Sequence, residues 1–271
     1  MDNTNDIKTA QAFASSWNNL PSGSVYTFDQ FEDWFLPLGK SDIEGRDVLE
    51  LGCGNASLLV HLTRWNPKSA TGVDLGDSVT TAQANMAATG YSNFSIVKGD
   101  LVQYSGSMKY DLVYSIGVLH HLKEPMAGFE SVLRNTKPGG NFHCWVYAKE
   151  GNALIIYIVD PIRKVVSHLP WWFTKYAVAT PLSALYFLYA HFITTLHMSF
   201  MPLYRYSQWI GKRGFLFFRH VAFDQLVTPQ TAYIDKKTIE AWLKDERIES
   251  GSAYIIFRNG NSWKFGGRIK Q

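Results

Sequence analysis

The chain has 271 residues, of which 46% are hydrophobic and 18% charged, and this composition excludes a disordered or fibrous protein. Its net charge of +3 is too small to indicate a nucleic-acid partner by bulk electrostatics. Cys53 and Cys144 are far apart and indicate neither a disulfide framework nor a metal site. With no signal-peptide pattern at the polar start, we expect a reducing, cytoplasmic location.

Residues 1–44 are predicted to form a helical lead-in. Residues 10–17 suit a short helix, and Phe28–Phe35 places apolar side chains at helical spacing before Pro37. The second of these helices either packs against the core or covers a ligand, and the pattern is consistent with both.

Residues 45–150 are predicted to form the central unit, in which strands alternate with helices. Strands are expected at 48–51, 70–74, 94–98, 110–115 and 141–147, and helices at 56–65, 79–89 and 126–136. This alternation predicts an α/β, Rossmann-like, doubly wound and mostly parallel sheet with helices on both faces. Ligands of such sheets bind beyond the carboxyl ends of the strands.

Two glycines and three acids fall at these strand ends. Gly52 and Gly54 follow the first strand, where the absence of a Cβ lets the backbone approach a ligand closely. The third glycine of the dinucleotide fingerprint is missing, and Glu50 would repel a pyrophosphate, so a cationic or amino-acid-bearing ligand fits better. Asp74 and Asp100 end the next two strands, and a carboxylate at the Asp74 position can bind both ribose hydroxyls.

Five segments together resemble the class I, seven-stranded S-adenosylmethionine-dependent methyltransferases. Residues 48–54, 72–74, 99–101 and 110–122 are similar to the first, second, third and fourth motifs of that family, in this order. Residues 133–140 are similar to the loop before its fifth strand. Position 56 is Ala where many members of that family have Gly. The resemblance covers roughly residues 45–150 and the C-terminal hairpin.

The resemblance implies S-adenosyl-L-methionine as cofactor. The residue spacing predicts no metal site. The resemblance also implies that Glu50 and the glycine turn contact the methionine moiety, Asp74 the ribose, and Asp100 and Leu101 the adenine. The residues predicted to bind the cofactor are Glu50, Gly52, Cys53, Gly54, Asn55, Asp74, Leu75, Asp100, Leu101, Ser115 and Ile116.

Residues 151–227 differ in composition from the rest of the chain and are predicted to form a helical, hydrophobic insertion. Residues 176–196 contain no Asp, Glu, Lys or Arg and are long enough to span a membrane, although Pro181 and several hydroxyl side chains dilute them. Basic residues greatly outnumber acidic ones in the insertion. Three interpretations are open: a substrate cap, a cap that binds a membrane surface, and a transmembrane hairpin.

Residues 228–271 return to α/β character. A helix is predicted at 236–244, followed by strands at 253–258 and 262–266 that a turn at 259–261 joins into a hairpin. We expect this hairpin to complete the sheet at its edge.

The segment after the fourth strand gives the main indication of the acceptor. The Asn/Asp-Pro-Pro-Tyr/Phe motif of base N-methyltransferases is absent there, and His120 and His121 stand in its place. A histidine beside the methyl donor suits proton removal from a hydroxyl, although both could instead have a structural role. His220, with Asp224 as an orienting partner, is a further candidate base with the same alternative.

The sequence therefore predicts a methyltransferase whose acceptor is a hydrophobic or lipid- or glycan-like small molecule and not a nucleic acid. O-methylation by in-line transfer is favoured, with alignment and desolvation as the main contributions of the enzyme. Lipid linkage of the acceptor and contact with a membrane surface are open, and the oligomeric state is not predicted. The rival interpretations are a protein or peptide methyltransferase and an inactive cofactor-binding membrane or partner module.

Overall fold

The computed structural model describes residues 6–7, 9–11, 26–228 and 230–271. Residues 9–11 are helical, but most of the helix expected at 10–17 lies outside the described residues. Helix α1 (Phe28–Phe35) begins at Thr27, whose side chain accepts from the backbone of Gln30 while the Gln30 side chain accepts from the backbone of Thr27. This reciprocal cap satisfies two N–H groups that a helix start otherwise leaves unpaired.

Helix α1 is chiefly a packing element. Phe31 and Phe35 are fully buried in an aromatic cluster with Trp65 and Tyr114, while Trp34 reaches the wall of the central cavity. The packing interpretation of this segment is therefore confirmed, and its role in covering a ligand stays a prediction. A short helix α2 (Lys40–Ile43) leads into the sheet.

The seven-stranded α/β fold expected from the sequence is confirmed. The strands are β1 (Asp47–Leu51), β2 (Ser69–Asp74), β3 (Phe94–Lys98), β4 (Tyr110–Ile116), β5 (Thr136–Tyr147), β6 (Tyr254–Arg258) and β7 (Ser262–Arg268). Their order in the sheet is β3-β2-β1-β4-β5-β7-β6. The first five are parallel, and β7 runs antiparallel between β5 and β6.

The hairpin that ends the chain inserts its second strand beside β5 and leaves β6 at the edge. Asn259 and Gly260 both adopt left-handed conformations, which close the turn between the two strands. Strand β5 already begins at Thr136, so the helix before it ends at Asn135, one residue earlier than expected. The pairing of β5 with β4 contains a register shift between Tyr110 and Leu112.

The helices of the core are α3 (Leu59–Leu62), α4 (Val79–Ala87), α5 (Pro125–Asn135) and, near the C-terminus, α11 (Lys236–Trp242). Helix α3 continues as a 3-10 turn, Thr63–Trp65. It starts three residues later than the expected residue 56. Ala56 has a φ of +63°, a left-handed conformation that an α-helix cannot contain, so the turn after β1 extends through this residue.

The insertion is helical, as expected, and we call it the cap. It consists of a π-helical turn (Ile155–Val159), α6 (Asp160–Val166), α7 (Trp171–Phe173), a second π-helical turn (Thr174–Ala179), α8 (Thr180–Thr195), α9 (Tyr204–Gly211) and α10 (Phe215–Val227). Helix α8 packs against α9 and α10. The segment Trp171–Thr195 is the one described helix that is long and apolar enough to cross a membrane.

Candidate functional site

The carboxyl ends of β1 and β2 hold the glycine turn in place through backbone and carboxylate contacts. The N–H groups of Gly52 and Cys53 donate to the Val73 carbonyl at 2.8 and 3.0 Å. The Gly54 N–H donates to Oδ2 of Asp74 at 2.9 Å. Asp74 therefore positions the turn, a role that the sequence did not indicate.

The two glycines of the turn have different physical requirements. Gly52 has a φ of +85°, and a Cβ at this position would lie 2.4 Å from a methyl group of Val118. Gly54 is also left-handed, but a Cβ there would meet no atom within 4 Å. Gly52 is thus required by packing, whereas Gly54 leaves open space on the wall of the cavity.

Glu50 is a buried carboxylate at the start of this turn. Its side chain is 2% exposed, and its Oε2 accepts from the Tyr114 hydroxyl at 2.9 Å. Burial raises the pKa of Glu50 to about 8, opposed by the Tyr114 hydrogen bond and reinforced by the charge of Asp74. A cation bound here would favour ionised Glu50 and lower that pKa.

Asp74 and Asp100 continue the row of acids. Oδ1 of Asp74 accepts from the Gly76 N–H at 2.8 Å, and burial raises the pKa of Asp74 against this bond and the one from Gly54. Each carboxylate oxygen has two acceptor positions, so Oδ2 of Asp74 retains capacity for a ligand hydroxyl. Asp100 caps its own loop, because its Oδ1 accepts from the Val102 N–H at 2.9 Å.

A cavity of about 530 Å³ runs from this edge into the cap. Nine of the eleven residues predicted to bind the cofactor line it, namely Glu50, Gly52, Cys53, Gly54, Asp74, Leu75, Asp100, Leu101 and Ile116. Its lining continues through Trp145 and Tyr147 at the end of β5 to α8, α9 and α10. One cavity therefore joins the predicted donor site to the cap.

Asn55 and Ser115 lie behind the cavity wall. The Ser115 hydroxyl donates to the Leu51 carbonyl at 2.8 Å and ties β4 to the end of β1. Oδ1 of Asn55 accepts from the Ser57 hydroxyl at 2.6 Å, and the backbone carbonyl of Asn55 accepts from the side-chain amide of Asn85. Both side chains are fully buried, so they support the turn from behind and do not line the cavity with the other nine.

Of the three candidate bases, His121 alone lines the cavity. Its Nδ1 lies 3.0 Å from the Gln230 carbonyl and 3.0 Å from the Thr231 hydroxyl. A carbonyl can only accept, so the Gln230 contact requires the tautomer with the proton on Nδ1 and the lone pair on Nε2, and the Thr231 hydroxyl can then accept as well. Burial lowers the pKa of His121 to about 4, against the effect of the Gln230 bond and with a further contribution from Arg163. His121 is therefore neutral near pH 7.

His120 and His220 occupy other environments. His120 is completely buried behind His121 and packs on Tyr147 with ring centroids 4.1 Å apart, and burial holds its pKa well below the usual value. His220 lies on α10 outside the cavity lining, with Nε2 3.2 Å from Oδ2 of Asp224. The expected His220–Asp224 contact is thus present, but Asp224 is the member that reaches the cavity.

Several polar residues of the cavity were not indicated by the sequence. Tyr147 and Gln225 both lie on the wall. Arg258 is another wall residue, and its Nε donates to Asp33 at 2.9 Å. The Arg258–Asp33 contact joins residues far apart in the chain and has no local sequence signal. No group of three His, Cys, Asp or Glu side chains among the described residues is placed to hold a metal ion.

The sheet order, the glycine turn and the acids at successive strand ends define a class I, Rossmann-like fold. In agreement, residues 48–140 match the family described as methyltransferase domain. The chain therefore contains a class I S-adenosylmethionine-dependent methyltransferase domain, as the resemblance indicated, and the cofactor of that class is S-adenosylmethionine. The buried Glu50 carboxylate and the open space at Gly54 fit a ligand that carries an amino-acid group.

Two curated relatives and one solved structure illustrate the likeness. The chain is 28% identical over 119 residues to a tRNA U34 carboxymethyltransferase of Nautilia profundicola, over 41% of this chain and 37% of that protein. It is 27% identical over 143 residues to a ubiquinone biosynthesis O-methyltransferase of Vibrio vulnificus, over 51% of this chain and 60% of that protein. The magnesium protoporphyrin IX methyltransferase of Synechocystis PCC 6803 with bound SAH aligns with a TM-score of 0.55 at 16% identity over 98% of both chains.

These likenesses support the fold and the domain. The chain spans 60% or less of the length of these two curated relatives. The solved structure is too different in sequence to indicate more than the fold.

Proposed function

We propose that this protein transfers a methyl group from S-adenosylmethionine to a hydroxyl of an apolar small molecule. The observation that carries the proposal is the continuous cavity, which starts at Glu50 and Asp74 and ends among apolar and aromatic side chains of the cap. Apolar pockets with few polar groups select apolar ligands and use those polar groups to orient them. The acceptor would occupy the cap end of this cavity.

Each end of the cavity would have its own task in the reaction. S-adenosylmethionine, when bound, supplies an activated methyl group. Glu50 and Asp74 would hold its amino and ribose groups, and the cap would exclude water. Nε2 of neutral His121, which holds the lone pair when Nδ1 donates to Gln230, would accept the proton that the acceptor hydroxyl loses. In this tautomer the proton has a defined destination.

Two names among the relatives bear on the acceptor class. The ubiquinone biosynthesis O-methyltransferase acts, by its name, in the synthesis of an apolar small molecule, which supports the proposal. Because another relative is, by its name, a tRNA carboxymethyltransferase, transfer RNA must be tested as a second class of acceptor. Protein is the third class to be tested. The apolar cap favours the first class.

The test uses S-adenosylmethionine with a carbon-13-labelled methyl group and extracts of the source cells. We expect label in an organic-soluble product whose methyl resonance is that of an O-methyl group. Label in the tRNA or protein fraction, or on nitrogen, would contradict the acceptor class. Absence of S-adenosylmethionine binding at millimolar concentration in calorimetry would contradict the enzyme itself.

The role of His121 is tested with His121→Gln. Loss of a positioned base is expected to lower kcat about 100-fold or more while the affinity for S-adenosylmethionine changes little. His220→Gln is the matched control, since His220 lies outside the cavity lining, and should retain most of the activity. Equal kcat values for the two variants would remove His121 from the reaction.

A further inference from the structure

Exposed apolar side chains are concentrated on the cap. Of the nineteen large hydrophobic side chains exposed among the described residues, fourteen lie between positions 157 and 216. Phe200 is 80% exposed and Tyr157 78%. Soluble monomers rarely expose a contiguous apolar patch of more than a few hundred Å², and larger patches mark interaction surfaces.

Helix α8 presents these side chains on one side. Leu185, Leu188 and Phe192 follow each other at spacings of three and four residues and are 66%, 68% and 57% exposed. On the opposite side Ser183 and Ala190 are buried. A surface helix of a soluble protein has the reverse arrangement, with polar side chains outward, so the outward side of α8 suits an apolar medium.

Aromatic residues lie at the N-terminal end of the same helical segment. Trp171, Trp172 and Tyr176 are 48%, 55% and 57% exposed. Lys175 lies among them, with Nζ 5.8 Å from the Trp171 ring centroid and 5.9 Å from that of Tyr176. Trp and Tyr beside a lysine are the side chains typical of the interface between lipid headgroups and acyl chains.

The charge of the cap complements an anionic surface. Residues 152–227 contain seven basic residues (Lys and Arg) and two acidic ones (Asp and Glu). The rest of the chain contains 19 basic and 21 acidic residues. Asp160 is paired with Arg163, and Asp224 lies beside His220. Lys164, Arg205 and Lys212 are exposed. The cap therefore carries a net positive charge on a molecule that is otherwise slightly negative.

The inner side of α8 restricts how the helix can meet a bilayer. Leu182, Ser183, Tyr186 and Tyr189 line the cavity. The Tyr186 hydroxyl also lies 3.0 Å from Ser207 on α9. Because a spanning position would remove this wall, the helix can dock in the plane of the membrane but cannot cross it with the cavity intact.

We propose that the outward side of the cap docks on the surface of an anionic phospholipid bilayer. The membrane-docking face is defined by Trp171, Trp172, Leu185, Leu188, Phe192 and Leu196, with Lys164, Lys175 and Lys212 as its basic residues. Apolar side chains enter the headgroup region, and the lysines contact anionic headgroups. Docking rests on this face alone and does not depend on the proposed reaction.

The test is co-sedimentation of the full chain with vesicles of phosphatidylcholine that contain phosphatidylglycerol. We expect binding at low salt, release at high salt and weak binding to phosphatidylcholine alone. Leu188→Gln/Phe192→Gln should weaken binding about tenfold or more, because two apolar side chains are lost from the bilayer. Met108→Gln/Met126→Gln changes two exposed apolar side chains outside the cap and is the matched control, expected to bind as the wild type does.

A second pair of variants tests the charge. Lys164→Glu/Lys212→Glu should weaken binding by at least about fivefold per lysine. Lys237→Glu/Lys244→Glu makes the same change in net charge on exposed lysines outside the cap and should have little effect. Equal losses in both pairs would contradict a localised docking face.

Other occupants of the face give different results. If a second copy of the chain covers it, analytical ultracentrifugation will show a dimer that Leu188→Gln/Phe192→Gln converts to a monomer, without vesicle binding. If the segment spans the bilayer, high salt and alkaline carbonate will fail to release the protein. Either result overturns the proposal, whereas loss of S-adenosylmethionine binding with intact vesicle binding would overturn the proposed function only.

Discussion

The carboxyl edge of the sheet and the cap use apolar side chains in opposite ways. At the sheet, clusters of 21 and 17 buried apolar residues lie on the two faces and support the predicted donor site. The cap has a buried cluster of four residues and turns many of its large apolar side chains outward. The first arrangement builds a rigid edge, and the second builds a thin wall around a cavity.

This difference separates two tasks. The donor site needs fixed backbone geometry, which strand ends and buried contacts provide. The proposed acceptor end would need a chamber that an apolar molecule can enter, and a wall with little core of its own can open at low cost in free energy. Substitutions and amide hydrogen-exchange measurements test whether the sheet edge is rigid and the cap opens easily. They are given in order of the size of the expected effect.

Gly52→Ala should cause the largest loss of stability. The added Cβ would lie 2.4 Å from Val118 and force a left-handed alanine, so we expect a decrease of roughly 3 kcal/mol or more in the free energy of unfolding. Gly54→Ala, which meets no atom, should cost about 1 kcal/mol. Urea unfolding measures both, and Gly52→Ala/Val118→Ala should recover part of the loss. Equal stabilities of the two single variants would contradict the packing argument.

Amide hydrogen exchange should distinguish the two regions directly. With only four buried apolar residues in the cap cluster, amides of α8 should exchange through local opening that costs about 3 kcal/mol less than global unfolding. Helix α5, which packs Phe129 and Val132 on the sheet, is the control of equal secondary structure. Anionic vesicles should raise protection in α8 only. Equal protection of α8 and α5 without vesicles would contradict the division.

Glu50→Gln should separate binding from stability. Loss of the carboxylate should lower affinity for S-adenosylmethionine about 10- to 150-fold, the value of a hydrogen bond to a charged group. The ligand-free protein should become more stable at pH 7 by on the order of 1–3 kcal/mol, because a carboxylate whose pKa burial raises to about 8 is removed. Calorimetry and thermal unfolding measure the two effects. Asp77→Asn, at an exposed acid, controls for net charge, and reduced stability of Glu50→Gln would contradict the account.

The pH dependence of donor binding depends on the same residue. Glu50 is largely protonated at pH 7 in the free protein, since its pKa is about 8, and a bound cation requires the ionised form. Binding should therefore release a proton, and affinity should fall as the pH decreases below 8, by at most about tenfold per pH unit. Calorimetry in buffers of different ionisation enthalpy counts the protons. A constant affinity between pH 6 and 8, or the same slope in Glu50→Gln, would contradict this role.

The sequence could place the predicted donor-site residues together at one edge of the sheet because their signals are local. The first four strands each end in, or are followed directly by, a glycine or an acid that the neighbouring residues make recognisable, and nine of the eleven predicted residues line the cavity. What the sequence does not indicate are contacts between distant segments. Ser115 bonds to Leu51 and Tyr114 to Glu50, each pair 64 residues apart, and no local pattern indicates these partners.

The cap was predicted only as helical and hydrophobic. Composition cannot distinguish a helix with apolar residues on both sides from one that is apolar only on the side facing a cavity, because the overall hydropathy of a segment does not show where its residues lie around the helix. The inner residue Tyr186 and the outer residue Leu188 are two positions apart, and only the packing of α8 on α9 and α10 assigns them to different sides. The position of β7 between β5 and β6 is likewise a non-local choice.

The smallest expected effect concerns Ala56, at the position where many members of the family have glycine. Its left-handed φ of +63° costs about 1 kcal/mol for a residue with a Cβ, which explains the preference for glycine there. Yet Ala56 is completely buried in the cluster that contains Leu59, and removing its methyl group would lose about 0.8 kcal/mol. Because the two terms nearly cancel, Ala56→Gly should change the free energy of unfolding by less than about 1 kcal/mol and leave donor binding intact. Ala82→Gly in α4 is the control, since Ala82 is equally buried but helical and should lose about 1–2 kcal/mol. A loss at Ala56 as large as that at Ala82 would show that the turn after β1 gains nothing from glycine.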